Sequence, residues 1–317
     1  MITRTAATEP AHGPRDEIMA TTHSRRFLDP AVVARLATME LKARLVVEGF
    51  IAGLHRGPYR GFSVEFAEHR PYMPGDPIRH VDWKVYGKTD RFFIKQFEEE
   101  TNLRAYVVLD GSASMGYGSG GVTKLEYGSM LAASLMYLML KQQDLVGLLV
   151  FDTELRRYIP PRSTRSHLHR MLSELERQRP GARTDVGATL HQLAERVQRR
   201  GLIILISDLE DDRERVISGL KHFRHRKHEV LVFHILDPSE LELPFEGDVI
   251  LKDLETREER LTQPSRVRER YQEAVRQWLL GYRRECRESA IDYVPAETST
   301  PYDSLLFSYL QKRKRLG

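Results

Sequence analysis

Four short and almost wholly apolar runs constrain this chain more than any other feature: "LRAYVVLD" (103–110), "LVGLLVF" (145–151), "GLIILISD" (201–208) and "HEVLVFHILD" (228–237). A strand wetted on one face alternates apolar and polar residues, whereas runs of this kind need cover on both faces. Segments of helical spacing lie between them. An apolar helix is expected from about Lys124 to Lys141, followed by "STRSHLHRMLSELERQ" (163–178), capped by Ser163, and "TDVGATLHQLAERVQRR" (184–200). In "DDRERVISGLKHFRHR" (211–226), Asp211 and Glu214 read as a capping box. Strand and helix in alternation imply parallel strands with helices on both faces, an open α/β sheet. "LRRYIP" (155–160) is expected at its edge.

The flanks of this unit read differently. "PAVVARLATMELKARLVVEGFI" (30–51) is an amphipathic helix entered through Asp29 and Pro30, and it needs a surface to pack on. Residues 55–100, where Gly and Pro punctuate runs such as "GFSVEF" and "RFFIKQFE", predict an extended, β-containing arm. Further on, "GDVILKDLETREERL" interrupts the alternation as a hairpin turning near Glu255. A helix over about 265–289, a last strand in "AIDYVPAET" (290–298) and a closing helix capped through Thr300-Pro301-Tyr302-Asp303 complete the chain. The expected organisation is a flexible tail over 1–26, a helix and β arm over 27–102, and the α/β domain over 103–317 with an insertion at about 238–265.

Composition narrows the function classes. The 49 Lys and Arg against 45 Asp and Glu leave a net charge of +4, too evenly mixed to imply nucleic-acid binding. The single cysteine, Cys286, has no cysteine partner, which fits a reducing compartment, and the cytoplasm is the expected location. "MLAASLMYLMLK" (130–141) is shorter than the about 20 residues a bilayer span requires, and the first 25 residues lack an apolar core like that of a signal peptide.

In open α/β sheets, ligands gather beyond the carboxyl ends of the strands. Asp110 sits at such an end, and "DGSAS" spaces Asp110, Ser112 and Ser114 so that one loop can turn three oxygens toward one point. Thr184 and Asp185 open another helix, and Ser207 and Asp208 end another strand. Such oxygens suit magnesium, which favours about six hard ligands, several of them water. A phosphate-cradling loop would need Gly-Lys-Ser/Thr, and "GGVTKLE" places Thr123 before Lys124 and Leu125 after it. An aspartyl nucleophile of the Asp-x-Asp type would want an acid where Ser112 stands. The glycines of "MGYGSGG" (115–121) read as a mobile loop beside the site. No catalytic nucleophile or base can be singled out, so the chain is not expected to be an enzyme.

Asp110-Gly111-Ser112-Ala113-Ser114, then Thr184, then Asp208 resembles the metal-ion-dependent adhesion site of von Willebrand factor type A domains. That resemblance implies a doubly wound, mainly parallel sheet with one antiparallel edge strand. It also implies Mg2+, with Mn2+ or Ca2+ as substitutes, held by Ser112, Ser114 and Thr184 directly and by the two aspartates, often through water. A partner protein's Asp or Glu would complete the shell. The preceding segment resembles bacterial domain-of-unknown-function family 58 through Glu65, Phe66, Arg70, Tyr72, Gly75, Asp76, Arg79, Asp82 and Trp83. The family's association with MoxR-type AAA+ ATPases implies an adaptor or assembly role beside such an ATPase.

Arg70, Tyr72, Asp76, Arg79, Asp82 and Trp83, with Asp185, are candidate partner-docking residues; the alternative is an arm fastened to the domain by Trp83 and by arginine–acid pairs. Two other function classes compete with the adaptor reading: a metal-dependent hydrolase or phosphotransferase, and a weak nucleic-acid binder using the basic terminus "LQKRKRLG". His222, His225 and His228 are read as ordinary basic residues at a helix end rather than a zinc cluster.

Overall fold

A computed structural model describes residues 38–56, 69–71, 86–87, 90–95, 103–181, 185–252 and 259–316. The chain begins with α1 (Met39–Arg56) and two three-residue strands, β1 (His69–Pro71) and β2 (Phe93–Lys95), which pair antiparallel. Then follow β3 (Arg104–Asp110), α2 (Lys124–Lys141), β4 (Leu145–Phe151), β5 (Leu155–Arg162), α3 (Arg165–Glu176) and α4 (Val186–Arg196). β6 (Leu202–Ser207), α5 (Arg213–His225), β7 (Glu229–Leu236) and the short α6 (Pro238–Glu242) continue the alternation. The hairpin β8 (Val249–Lys252) and β9 (Glu259–Thr262) interrupts it before α7 (Pro264–Glu288), β10 (Asp292–Glu297) and α8 (Tyr302–Lys314). Among the described residues, no helix is long and apolar enough to cross a membrane.

Six strands form one sheet in the order β10-β7-β6-β3-β4-β5, parallel throughout except for β5, which runs antiparallel to β4 at the edge. β3 lies centrally, with Val107 opposite Leu148 on one side and Ile204 on the other. Alternate residues divide between two cores. Val107, Leu109, Leu148, Ile204 and Phe233 pack with α1, α2, α3 and α8; Tyr106, Val108, Leu149, Leu205 and Val232 pack with α4, α5 and α7. This is the doubly wound, mainly parallel α/β sheet expected from the sequence, with "LRRYIP" on its antiparallel edge.

α1 does pack: Ala43, Val46, Val47 and Phe50 are buried in the first core, and the helix runs on past Ile51. α2 is apolar nearly all round because it is covered on one side by the sheet and on the other by its neighbouring helices. Its first turn is fixed by Thr123 and Glu126, which cap each other reciprocally. Gly128 lets that turn approach the sheet, since a Cβ there would come within 3.0 Å of Ile206 Cγ2 and 3.3 Å of Leu109 Cδ1.

Three caps differ from expectation by one residue. Thr164 rather than Ser163 precedes α3, and it makes no side-chain capping bond. Asp212 caps α5 through Arg215 N, while Asp211 accepts from Gly187 N at the start of α4. Pro301 rather than Thr300 stands at the cap of α8. For α5 two adjacent aspartates were eligible, and the bond from Gly187 N to Asp211 leaves the cap to Asp212; at α3 and α8 no side chain caps the helix. The inserted hairpin is present, with Ile250 opposite Leu261; its turn lies outside the described residues.

Candidate metal centre

From β3 the chain turns into α2 on one face of the sheet, and from β6 into α5 on the other, so the carboxyl ends of β3 and β6 flank the crevice where the winding reverses. Asp110 closes β3 and is fully buried. Its Oδ1 accepts from Ser112 N at 2.9 Å, and its Oδ2 accepts from Ser207 Oγ at 2.6 Å. The hydroxyls of Ser112 and Ser114, both buried, lie 3.0 Å apart. Asp208, immediately after β6, is also buried. The following residue, Leu209, has φ of 52°, a left-handed conformation that a bulky side chain rarely adopts. Tyr282 Oη at 3.2 Å and Asp211 N at 2.8 Å donate to its carbonyl and hold that sharp turn.

The remaining candidates are placed as follows. Thr184 lies outside the described residues; Gly181 N donates to Gly111 O at 2.8 Å, beside Asp110. A side chain at Gly181 would run into the Arg156 guanidinium and Asp152 Oδ2, which form an ion pair at the end of β4. Asp185 caps α4 through Ala188 N and accepts two bonds from Arg215 Nη2, at 2.6 and 2.8 Å. Of Arg70, only the backbone is described, opposite Ile94 in the β1–β2 pair; Tyr72, Asp76, Arg79, Asp82 and Trp83 lie outside the described residues.

Several residues at this edge escaped the sequence reading. Lys124, the first residue of α2, is 1% exposed, and its Nζ lies 2.8 Å from Asp208 Oδ2 and 2.7 Å from Glu240 Oε1 of α6. Asp237 ends β7 and accepts from Ser119 N and Oγ and from Ser239 N and Oγ. Tyr117 Oη is 2.7 Å from Ser239 Oγ. The loop read as mobile is therefore stitched at Tyr117 and Ser119 to the end of a strand two places away. The signal for Asp237 was present: Asp237-Pro238-Ser239-Glu240 is a capping box, and both of its reciprocal bonds form.

Electrostatics follow from burial. Burial, then the negative charge of Asp208, pushes the Asp110 carboxyl up to about 7, against bonds from Ser207 and Ser112 that act to lower it. Burial acts to lower Lys124, but Asp208, Glu240 and Glu210 together outweigh it and hold the side chain above the ordinary lysine range as an ammonium. Burial drives His234 down to about 4, so its ring is neutral at pH 7. Its Nε2 lies 2.7 Å from the Asp208 carbonyl, which only accepts, so Nε2 carries the proton and Nδ1 accepts from Tyr293 Oη at 2.6 Å. The three histidines of "KHFRHRKH" do not converge: His222 meets His191 and Glu195, and His228 meets the Val197 carbonyl.

The oxygens fit a hard divalent ion. Ligands held at the magnesium distance on adjacent octahedral corners are separated by about 3 Å, the spacing of the two serine hydroxyls. Asp110 beside them is a buried carboxyl group, and Asp208 adds a second. Among the described residues, no group of three His, Cys, Asp or Glu side chains is arranged to hold a metal, so hydroxyls and water would have to supply the rest of the shell.

An uncharacterized protein of Mycobacterium tuberculosis is 32% identical over 233 residues, covering 72% of each chain. An uncharacterized protein of Mycobacterium avium is 27% identical over 163 residues, 50% of this chain and 94% of its own. Among solved structures, the conserved hypothetical protein BatB from Bacteroides thetaiotaomicron aligns with a TM-score of 0.47 at 19% identity, covering 67% of this chain and 99% of that one. An aerotolerance-related membrane protein from Bacteroides fragilis aligns with a TM-score of 0.46 at 18% identity, covering 66% and 99%. The model of the family described as "Protein of unknown function DUF58" matches residues 68–278, more than half of the chain, and the chain belongs to that family.

Proposed function

We propose that this protein is a non-enzymatic, metal-dependent protein-interaction module. In this reading it holds Mg2+, or Mn2+ or Ca2+ in its place, at Ser112, Ser114 and Thr184, with Asp110 and Asp208 bound directly or through water. The observation that carries the reading is the pair of buried serine hydroxyls 3.0 Å apart beside a buried carboxylate. When bound, the ion would present an open coordination position to a partner's Asp or Glu carboxylate. Hydrogen bonds from Ser207 and Ser112 N fix the Asp110 carboxyl, which supports a donor held ready before a partner arrives. The nearby bases are engaged: both His234 nitrogens are hydrogen-bonded, and Lys124 is ion-paired to two acids. That supports a binding role over hydrolysis or phosphoryl transfer. The family resemblance makes a MoxR-type AAA+ ATPase the partner to test first.

The test is capture of a purified MoxR-type ATPase, and of native-cell partners, by the full chain with Mg2+ or with EDTA. Asp110→Ala and Ser114→Ala are expected to lower retention at least tenfold in Mg2+, to the level seen with EDTA. Thermal melts must show both variants folded, because Asp110→Ala leaves Ser207 and Ser112 N short of a partner at about 1–3 kcal/mol. Retention indifferent to EDTA and to both substitutions would sink the metal-bridged reading.

A further inference from the structure

Lys124 carries two costs that an ordinary core residue would not. It is a cation at the first position of α2, the positive end of the helix dipole, and it is 1% exposed among apolar neighbours. Both costs are met by acids from elsewhere in the chain: Asp208 follows β6, and Glu240 belongs to α6. The Tyr117 ring, its centroid 6.0 Å from Nζ, faces the same ammonium. Two segments distant in sequence and the loop just before α2 therefore converge on one lysine beside the candidate metal edge.

The charges around it oppose one another. Lys124 meets Asp208 and the partly exposed Glu240 directly, and the charge of Asp208 in turn acts on the buried Asp110. The ammonium therefore offsets part of the negative charge that Asp208 would offer a divalent ion. We propose that Lys124 is a resident counter-cation of the Asp110–Asp208 centre, which sets the charge available to the metal and thereby its affinity. Glu240 tempers it by taking part of the ammonium away from Asp208. The proposal rests on the metal-binding reading above and deepens it: metal affinity at this edge is adjusted by a residue that does not ligate the ion.

Removing the lysine charge and removing the Glu240 charge must then act in opposite directions. Lys124→Met keeps most of the stem volume and removes one positive charge; Glu240→Gln keeps an acceptor for Asp237 N and removes one negative charge. Mg2+ and Mn2+ binding is measured by calorimetry on the full chain, with Mn2+ spin resonance as an independent readout. Lys124→Met is expected to bind at least tenfold more tightly than wild type, and Glu240→Gln at least threefold more weakly. Should Lys124→Met fail to fold, Glu240→Gln against wild type still decides, because it acts from the partly exposed side. Equal affinities in all three proteins overturn the proposal and leave the metal reading standing. Binding by Lys124→Met alone supports the proposal in its strongest form. No binding by wild type or by either variant removes the metal reading and the proposal together.

Discussion

His167 lies buried under β4, with Nε2 3.0 Å from the Val146 carbonyl, and burial holds its pKa below the ordinary 6.5. A histidine depressed in the fold contributes stability above its unfolded pKa and loses it as pH falls through the folded value. His167→Gln, which can still donate to Val146 but does not titrate, should be about 1 kcal/mol less stable than wild type at pH 7.5. The gap should narrow as pH drops toward 5, read from urea midpoints at both pH values; a constant gap means that His167 is not held neutral. Residue-level legibility had a clear physical limit. Asp110, Ser112, Ser114 and Asp208 could be picked out because each stands where an apolar run stops. The long-range partners of Lys124 and Asp237 could not be assigned, because they lie 84 and 118 residues away, Asp208 and Ser119 respectively, and depend on which strands become neighbours.

At the scale of elements, strand and helix types were legible wherever burial imposed a period, as in β3, β4, β6, β7 and α2. Cap positions were less so, since Asp211 and Asp212 are equally suited to begin α5 and only the demand of Gly187 N separated them. The seating of α2 was not legible at all. Gly128 within that helix marks where it descends on Ile206 and Leu109, directly above the strand ends that carry Asp110 and Asp208. Gly128→Leu is expected to overpack this contact and cost about 1–3 kcal/mol, visible as a lower melting temperature. It should weaken Mn2+ binding at the same time, since the added side chain presses on Leu109 and Ile206, next to Asp110 and Ser207. A variant that melts like wild type would show that the helix has room to spare.

Across the whole molecule, the two edges of the sheet are used differently. Near the amino ends of the strands, the basic terminus is tied into ion pairs: Lys312 to Glu229 and Asp292, Arg313 to the buried Asp144, and Arg315 to Asp292. Those partners give Lys312, Arg313 and Arg315 a structural role. They were invisible in sequence, because Asp144 and Arg313 are 169 residues apart. At the opposite edge, His234 joins the Asp208 carbonyl to Tyr293 of β10, and the Trp278 ring stands edge-on to that imidazole, with centroids 4.8 Å apart. The chain has two tryptophans, Trp83 and Trp278. Indole emission responds to the orientation and polarity of a neighbouring imidazole, so a Trp83→Phe protein should report events at Asp208 as a change in the fluorescence of Trp278. Emission that stays flat while calorimetry shows Mn2+ saturating the centre would mean that β7 does not feel the site. A changing signal would give the protein an intrinsic optical indicator, one that needs no label and no knowledge of the partner.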